Sequence, residues 1–125
     1  MITSTIKIGG KEYGVAGSYG VEVAFQELAN VSIGEVKWTD KSLPPKYIVD
    51  LIVAASFAYY NGKKQEPKLT QDDVMNEARP KELVAAVETI FRIYSQWSAT
   101  PEGDKEEETE ASGQDAQEGD QDQKK

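Results

Sequence analysis

The 125-residue chain carries 14 Lys/Arg against 22 Asp/Glu, a net charge of −8, and has neither cysteine nor histidine. That composition excludes disulfides, thiolate or imidazole metal sites and every nucleophile–histidine pair, and so most common hydrolase chemistry. The charge is unevenly placed: residues 1–98 hold 11 basic and 12 acidic side chains, whereas residues 99–125 hold 3 and 10.

Ile6 and Ile8 alternate with polar neighbours, as do Tyr13 and Val15 beyond the Gly9-Gly10 pair. Two period-2 segments joined by residues that accept positive φ predict a β-hairpin. A hairpin alone is marginal in water, so its apolar face must lie on the helical material that follows. Gly14, Gly17 and Gly20 fall three apart and are expected to permit a bulge or an irregular exit from the hairpin. Gly9-Gly10-Lys11 lacks the spacing of a phosphate loop, and Glu12 after the lysine would repel phosphate, so the segment reads as a turn.

Val21, Phe25 and Leu28 recur at helical spacing beside Ala24 and Ala29, which predicts a helix over 21–29 ending near Asn30. Residues 31–45 carry Gly34, Asp40, Ser42 and Pro44-Pro45, the composition of a connecting loop with a short turn around Gly34 to Val36. Pro45 suits the first turn of a second helix, since proline there loses no helical hydrogen bond. That helix is expected to run to Tyr60. Its Ile48, Val49, Leu51, Ile52, Val53, Ala54, Ala55, Phe57, Ala58 and Tyr59 leave little polar face, so it should be buried nearly all round, in its own domain or against a partner. Asp50 interrupts the run. An unpaired buried charge is costly, so a wet edge of the helix is its expected place, with a pair to Lys46 one turn back as the alternative.

Asn61-Gly62 stops the second helix, and residues 63–67 form an exposed link. Thr70 and Asp73 stand at capping-box spacing and open a short third helix to about Ala78. Asp72, Asp73 and Glu77 therefore read as cap and solvated face, not as a catalytic set. Pro80 begins a fourth helix, with Leu83, Val87, Ile90, Tyr94 and Trp97 spaced four, three, four and three apart and Val84 and Phe91 widening the stripe. Residues 99–125 contain no Val, Ile, Leu, Met, Phe, Tyr or Trp and are expected to be disordered, having almost nothing to bury.

The expected fold class is mainly α: a small helical domain over residues 1–98 with an N-terminal β-hairpin, followed by an acidic tail over 99–125. The apolar stretch from Tyr47 to Tyr60 is shorter than the roughly 20 residues of a membrane span, and no secretory signal pattern opens the chain. It reads as soluble and intracellular. Basic residues are scattered, which argues against nucleic-acid binding. No catalytic, cofactor or metal site is expected. Core packing accounts for most of the aromatic and apolar excess on the second and fourth helices. A face left over on so small a body would mark a partner surface, with Tyr47, Leu51, Phe57, Tyr60, Val87, Phe91, Tyr94 and Trp97 as candidates.

Four segments together resemble a known family. They are Ile6-Lys7-Ile8-Gly9-Gly10-Lys11-Glu12-Tyr13, then Tyr19-Gly20 entering a helix with Gln26-Glu27-Leu28, then Leu69-Thr70-Gln71-Asp72-Asp73-Val74, and lastly Glu82-Leu83 with Ala85-Ala86-Val87. Over residues 6–98 the chain is similar to the tail assembly chaperones of long-tailed bacteriophages and related prophages. The resemblance implies a non-catalytic protein that coats and solubilises the apolar tape-measure protein, recruits tail-tube subunits, and can self-associate. It also implies action in the host bacterial cytoplasm and absence from the mature virion. Some such families make a longer form by ribosomal frameshifting, for which the Lys124-Lys125 codons would be the slippery site. The tail suggests a different reading: an acidic regulator that occupies a basic, nucleic-acid-binding partner.

Overall fold

The computed structural model describes residues 1–99, so the tail lies outside the described residues save for Ala99. The elements, in chain order, are β1 (Ile2–Ile8), β2 (Lys11–Gly17), α1 (Tyr19–Ala29), a 3-10 turn (Ile33–Glu35), α2 (Pro45–Gly62), α3 (Gln71–Glu77) and α4 (Pro80–Ser98). The domain is mainly helical with a two-stranded antiparallel hairpin at its N-terminus, as the periodicities predict.

Gly9 and Gly10 both take positive φ, 62° and 82°, which is the backbone a two-residue hairpin turn requires. From that turn the register runs unbroken, from Ile8 opposite Lys11 to Ile2 opposite Gly17. The expected bulge is therefore absent. Gly14 and Gly17 instead admit neighbours that any side chain would exclude. A Cβ on Gly14 would stand 2.2 Å from the Tyr59 ring, and one on Gly17 would stand 2.5 Å from the Ile93 carbonyl oxygen. Because successive strand residues point to opposite faces, Gly17 shares its face with Val15 and, across the ladder, with Ile6 and Ile8. These three side chains are buried, and α4 covers that face. The Gly14 N–H donates to the Tyr60 hydroxyl at 3.0 Å, so α2 closes the outer edge of β2.

α1 begins at Tyr19, two residues earlier than its apolar spacing suggests, and ends on Asn30 in the left-handed region (φ 64°). Its buried side is Val21, Ala24, Phe25 and Ala29. α2 starts at Pro45 as expected and continues to Gly62, burying every residue from Asp50 to Ser56. The capping box of α3 is formed: the Asp73 N–H donates to Thr70 Oγ1 at 3.1 Å, and the Thr70 N–H donates to Asp73 Oδ2 at 3.0 Å.

Two expectations need correction. Asp50 is not on a wet edge but fully buried. Lys46 Nζ donates to its Oδ2 at 2.5 Å and Gln71 Nε2 to its Oδ1 at 2.6 Å, while the same Lys46 ammonium reaches the Leu28 carbonyl at 3.1 Å. Both carboxylate oxygens are thus satisfied, and the lysine keeps part of its surface in water, which is how the burial is tolerated. The cluster joins the end of α1 and the start of α3 to α2. The second correction concerns α4. Its buried residues are Ala86, Ile90 and Ile93, so the contact line shares only Ile90 with the predicted stripe and otherwise runs beside it, leaving Val84 exposed. Two isoleucines and an alanine fit a closely approaching hairpin. Leu83, Val87 and the aromatic Phe91, Tyr94 and Trp97 flank that line half-buried.

The loop after α1 supplies a wedge. Trp38 packs on Phe25 of α1 at 5.6 Å between ring centroids and on Phe91 of α4 at 5.2 Å. Its indole N–H donates to the Ile33 carbonyl at 3.0 Å. Ring pairs of this kind add about 0.5–1.5 kcal/mol beyond their buried area, so this loop fastens α1 to α4.

Candidate partner-binding surface

The eight candidate residues do not form one surface. Leu51 is buried at the centre of the domain, and Tyr60 is buried with its hydroxyl engaged by Gly14. Neither is open to a partner. The reason is that neighbours cover most of the circumference of α2: positions that look available on an apolar helix are taken by α1, α3 and the hairpin.

Tyr47 is half-buried, with its ring 6.3 Å from that of Phe25. Together with Val31, Val36, Leu43 and Pro44 it lines an open cleft of about 170 Å³ beneath the loop between α1 and α2. Asp40 stands on the cleft's rim, where the Ser42 N–H and hydroxyl both donate to its carboxylate and hold it below the ordinary carboxylate value. Val87, Phe91, Tyr94 and Trp97 lie along α4, with the Tyr94 and Trp97 rings 5.7 Å apart. The Tyr94 hydroxyl donates to Glu22 of α1. Burial first, then that hydrogen bond and the Glu22 charge, push the phenol up to about 12. Tyr94 is therefore committed to holding α4 against α1.

Phe57 is the one candidate that is clearly exposed, at 39%. Beside it stand two residues that the periodicity overlooks, Tyr19 at 65% and Val23 at 45% exposure. Tyr19 and Val23 are one turn apart on α1, so they share a face. A Cβ on Gly20 would lie 3.6 Å from that of Ala58, which places Phe57, the neighbour of Ala58, beside this part of α1. The small residues Gly20 and Ala58 face each other where the helices cross, and Tyr19, Val23 and Phe57 rim the crossing. A sequence signal existed: Val23 is out of phase with the Val21, Phe25 and Leu28 spacing, whose first two members are buried, and so had to point outward.

At the opposite end, near the hairpin turn, Glu82 acts as a clasp. Its Oε1 accepts from the Gly9 N–H at 2.8 Å and the Arg79 N–H at 3.0 Å, and its Oε2 accepts from the Gly10 N–H at 2.9 Å. These donors, the Arg79 N–H foremost, hold the carboxyl below its ordinary value, and the Arg79 charge adds to them. The two glycine N–H groups do form an anion cradle, as adjacent turn amides can. The anion in it is the chain's own carboxylate.

Among the described residues no group of three or more Asp or Glu converges on a point that could hold a metal ion, and no helix is long and apolar enough to cross a membrane. Comparison with protein families, with curated proteins and with solved structures finds no match for this chain.

Proposed function

We propose that this protein is a non-catalytic phage tail assembly chaperone, which coats the tape-measure protein, keeps it soluble and helps recruit tail-tube subunits. The observation that carries the reading is the apolar rim of Tyr19, Val23 and Phe57 left on the surface at the α1–α2 crossing. Contiguous exposed apolar side chains on a small domain mark interaction sites, and an amphipathic helix lays its apolar stripe into such a crossing. Support also comes from the resemblance of the hairpin, α1, α3 and α4 segments to that family. The words Gly9-Gly10 and Leu69 to Val74 fall at the hairpin turn and at the capped start of α3.

The test is co-expression with a tape-measure protein that is insoluble alone. The wild-type chain is expected to bring it into the soluble fraction and to co-purify with it. A Tyr19→Glu, Phe57→Glu double variant is expected to lose both effects while keeping its helical circular dichroism and melting transition. A wild-type chain that leaves the tape measure insoluble would overturn the chaperone reading. A double variant that still solubilises it would instead move the contact away from the α1–α2 crossing.

A further inference from the structure

The two strands of the hairpin have unequal outer edges. Gly14 stands opposite Thr5 in the ladder, yet its N–H turns outward to the Tyr60 hydroxyl. Gly14 and Thr5 are therefore a non-hydrogen-bonded pair, and in an antiparallel ladder such pairs alternate with bonded ones. Lys7 with Glu12 and Thr3 with Ala16 are the others of that kind. The N–H and C=O groups of Thr3, Thr5 and Lys7 thus point away from β2. α2 closes the edge of β2. On β1, Thr5 and Lys7 are exposed, and no described residue bonds to their outward groups.

An open edge of this kind is a template for another strand. Few of the usual guards against that are present. β1 has no proline and no bulge, and Ile2, Thr3, Thr5, Ile6 and Ile8 are all β-branched, the residue type that fits a sheet best. Its single charge, Lys7, is already met by Glu12 of its own hairpin.

From this edge we propose that β1 pairs antiparallel with β1 of a second copy, about a two-fold axis at Ile6, to make a four-stranded sheet. This pairing is independent of the chaperone reading. The register follows from the two open residues. With Ile6 opposite its counterpart, Thr5 of each copy faces Lys7 of the other, and their outward groups exchange four backbone hydrogen bonds. A register centred on Lys7 would set two ammoniums directly opposite, which is destabilising. One centred on Thr5 would need the outward groups of Thr3, which is buried. About Ile6 the two lysines are only diagonal neighbours, roughly 7–8 Å apart, and each keeps its own Glu12.

Ile6 is on the face that α4 covers, so both copies of α4 lie on one side of the joined sheet. α1 and α2 stand against β2, and Phe91 and Tyr94 of α4 turn toward the Trp38 loop and α1. The opposite flank of α4, over β1, carries the small Ala85 and Thr89, and small side chains let a second helix lie alongside. Two short strand segments bury less than a standard interface, so the pair depends on concentration.

The test is sedimentation equilibrium of the full chain from about 0.01 to 1 mM, a range suited to an interface below standard size, with amide hydrogen exchange followed at the same concentrations. The mass is expected to rise from 13.8 kDa toward twice that value. Exchange at the Thr5 and Lys7 amides should slow in step, about tenfold where nine-tenths of the chains are paired. The Gly14 amide, held within its own chain, should not change. Thr5 is exposed, so its side chain can be altered without touching the core. Thr5→Glu, facing Lys7 of the copy, is expected to tighten the pair about fivefold, and Thr5→Lys to weaken it by a similar factor. Since the chain has no cysteine, oxidation reads the register. A mixture of Thr5→Cys and Lys7→Cys chains is expected to cross-link faster than either variant alone, because opposed Cα atoms stand about 5.5 Å apart and diagonal ones lie beyond disulfide reach. A mass that stays at 13.8 kDa throughout overturns the pairing. So does a dimer whose Thr5 and Lys7 amides exchange at the monomer's rate, or one that neither Thr5 variant shifts. Thr5→Cys chains that cross-link alone as fast as the mixture would overturn the Ile6 register. A dimer lost in the Tyr19→Glu, Phe57→Glu variant would assign self-association to the α1–α2 crossing instead.

Discussion

α2 and α4 are nearly equal in length, at 18 and 19 residues, yet they stand in the domain in opposite ways. α4 has the cleaner apolar stripe in sequence, but it buries Ala86, Ile90 and Ile93 and lays its larger residues along the sides of the contact. α2 has almost no amphipathic pattern and buries a continuous run that includes a charge. The difference teaches that the sharpness of a stripe reports how one-sided a helix's surroundings are, and not how deeply it sits. α4 has the hairpin on one side, with α1 and the Trp38 loop at its flank, and water on the other. α2 has neighbours around most of its circumference and so needs no polar face, only a solution for Asp50.

That solution is where the comparison breaks most readily. Lys46→Met leaves the Asp50 carboxylate fully buried with Gln71 as its remaining donor, and is expected to cost about 3 kcal/mol in urea unfolding. Adding Asp50→Asn should recover part of the loss, because the uncompensated charge is then gone. An unchanged unfolding midpoint in Lys46→Met would mean that the ion pair does not hold α2 in place.

The seam between α4 and the hairpin is expected to respond less. Gly17→Ala sets a methyl group against the Ile93 backbone and should cost about 2 kcal/mol by forcing the helix off the strand. Gly20→Ala is the matched control. Its added methyl would meet ordinary contacts at 3.4 Å and 3.6 Å, so a change within about 0.5 kcal/mol is expected. Equal losses at the two glycines would show that backbone freedom, and not close approach, is what Gly17 supplies.

The smallest effect belongs to the clasp at the start of α4. The folded state holds the Glu82 carboxyl below its ordinary value of 4.5. The unfolded chain therefore takes up that proton first as pH falls. The clasp's contribution is complete above pH 4.5 and is lost as pH drops through the folded value. Melting temperatures of the wild type and Glu82→Gln are thus expected to differ at neutral pH and to converge in acid. A difference that stays constant across that window would separate the clasp from the Glu82 charge.

Much of this architecture could be read from the residues. The Gly9-Gly10 turn follows from the need for positive φ, the α2 start from Pro45, the α3 start from the Thr70–Asp73 box, and the α1 end from Asn30. Each is a local rule, obeyed within a few residues of chain. The candidate surface was less legible. Leu51 and Tyr60 looked available because an apolar helix does not say which of its sides a neighbour takes, and Tyr19 and Val23 were overlooked because attention to a buried stripe passes over what lies outside it.

The sequence by itself determined the order and kind of the elements, the division between a neutral body and an acidic tail, and the exclusion of histidine and cysteine chemistry. These depend on backbone preferences, periodicity and composition, which act over one or two turns. The tertiary structure alone decided that Asp50 is buried with Gln71 as a second donor beside the Lys46 that its own helix offers, that Gly14 and Gly17 admit Tyr59 and α4, and that Glu82 fills the hairpin's anion cradle. It also decided which apolar side chains remain outside. Each of these rests on groups far apart in the chain, and only packing brings them within the few ångströms over which hydrogen bonds and van der Waals contacts act.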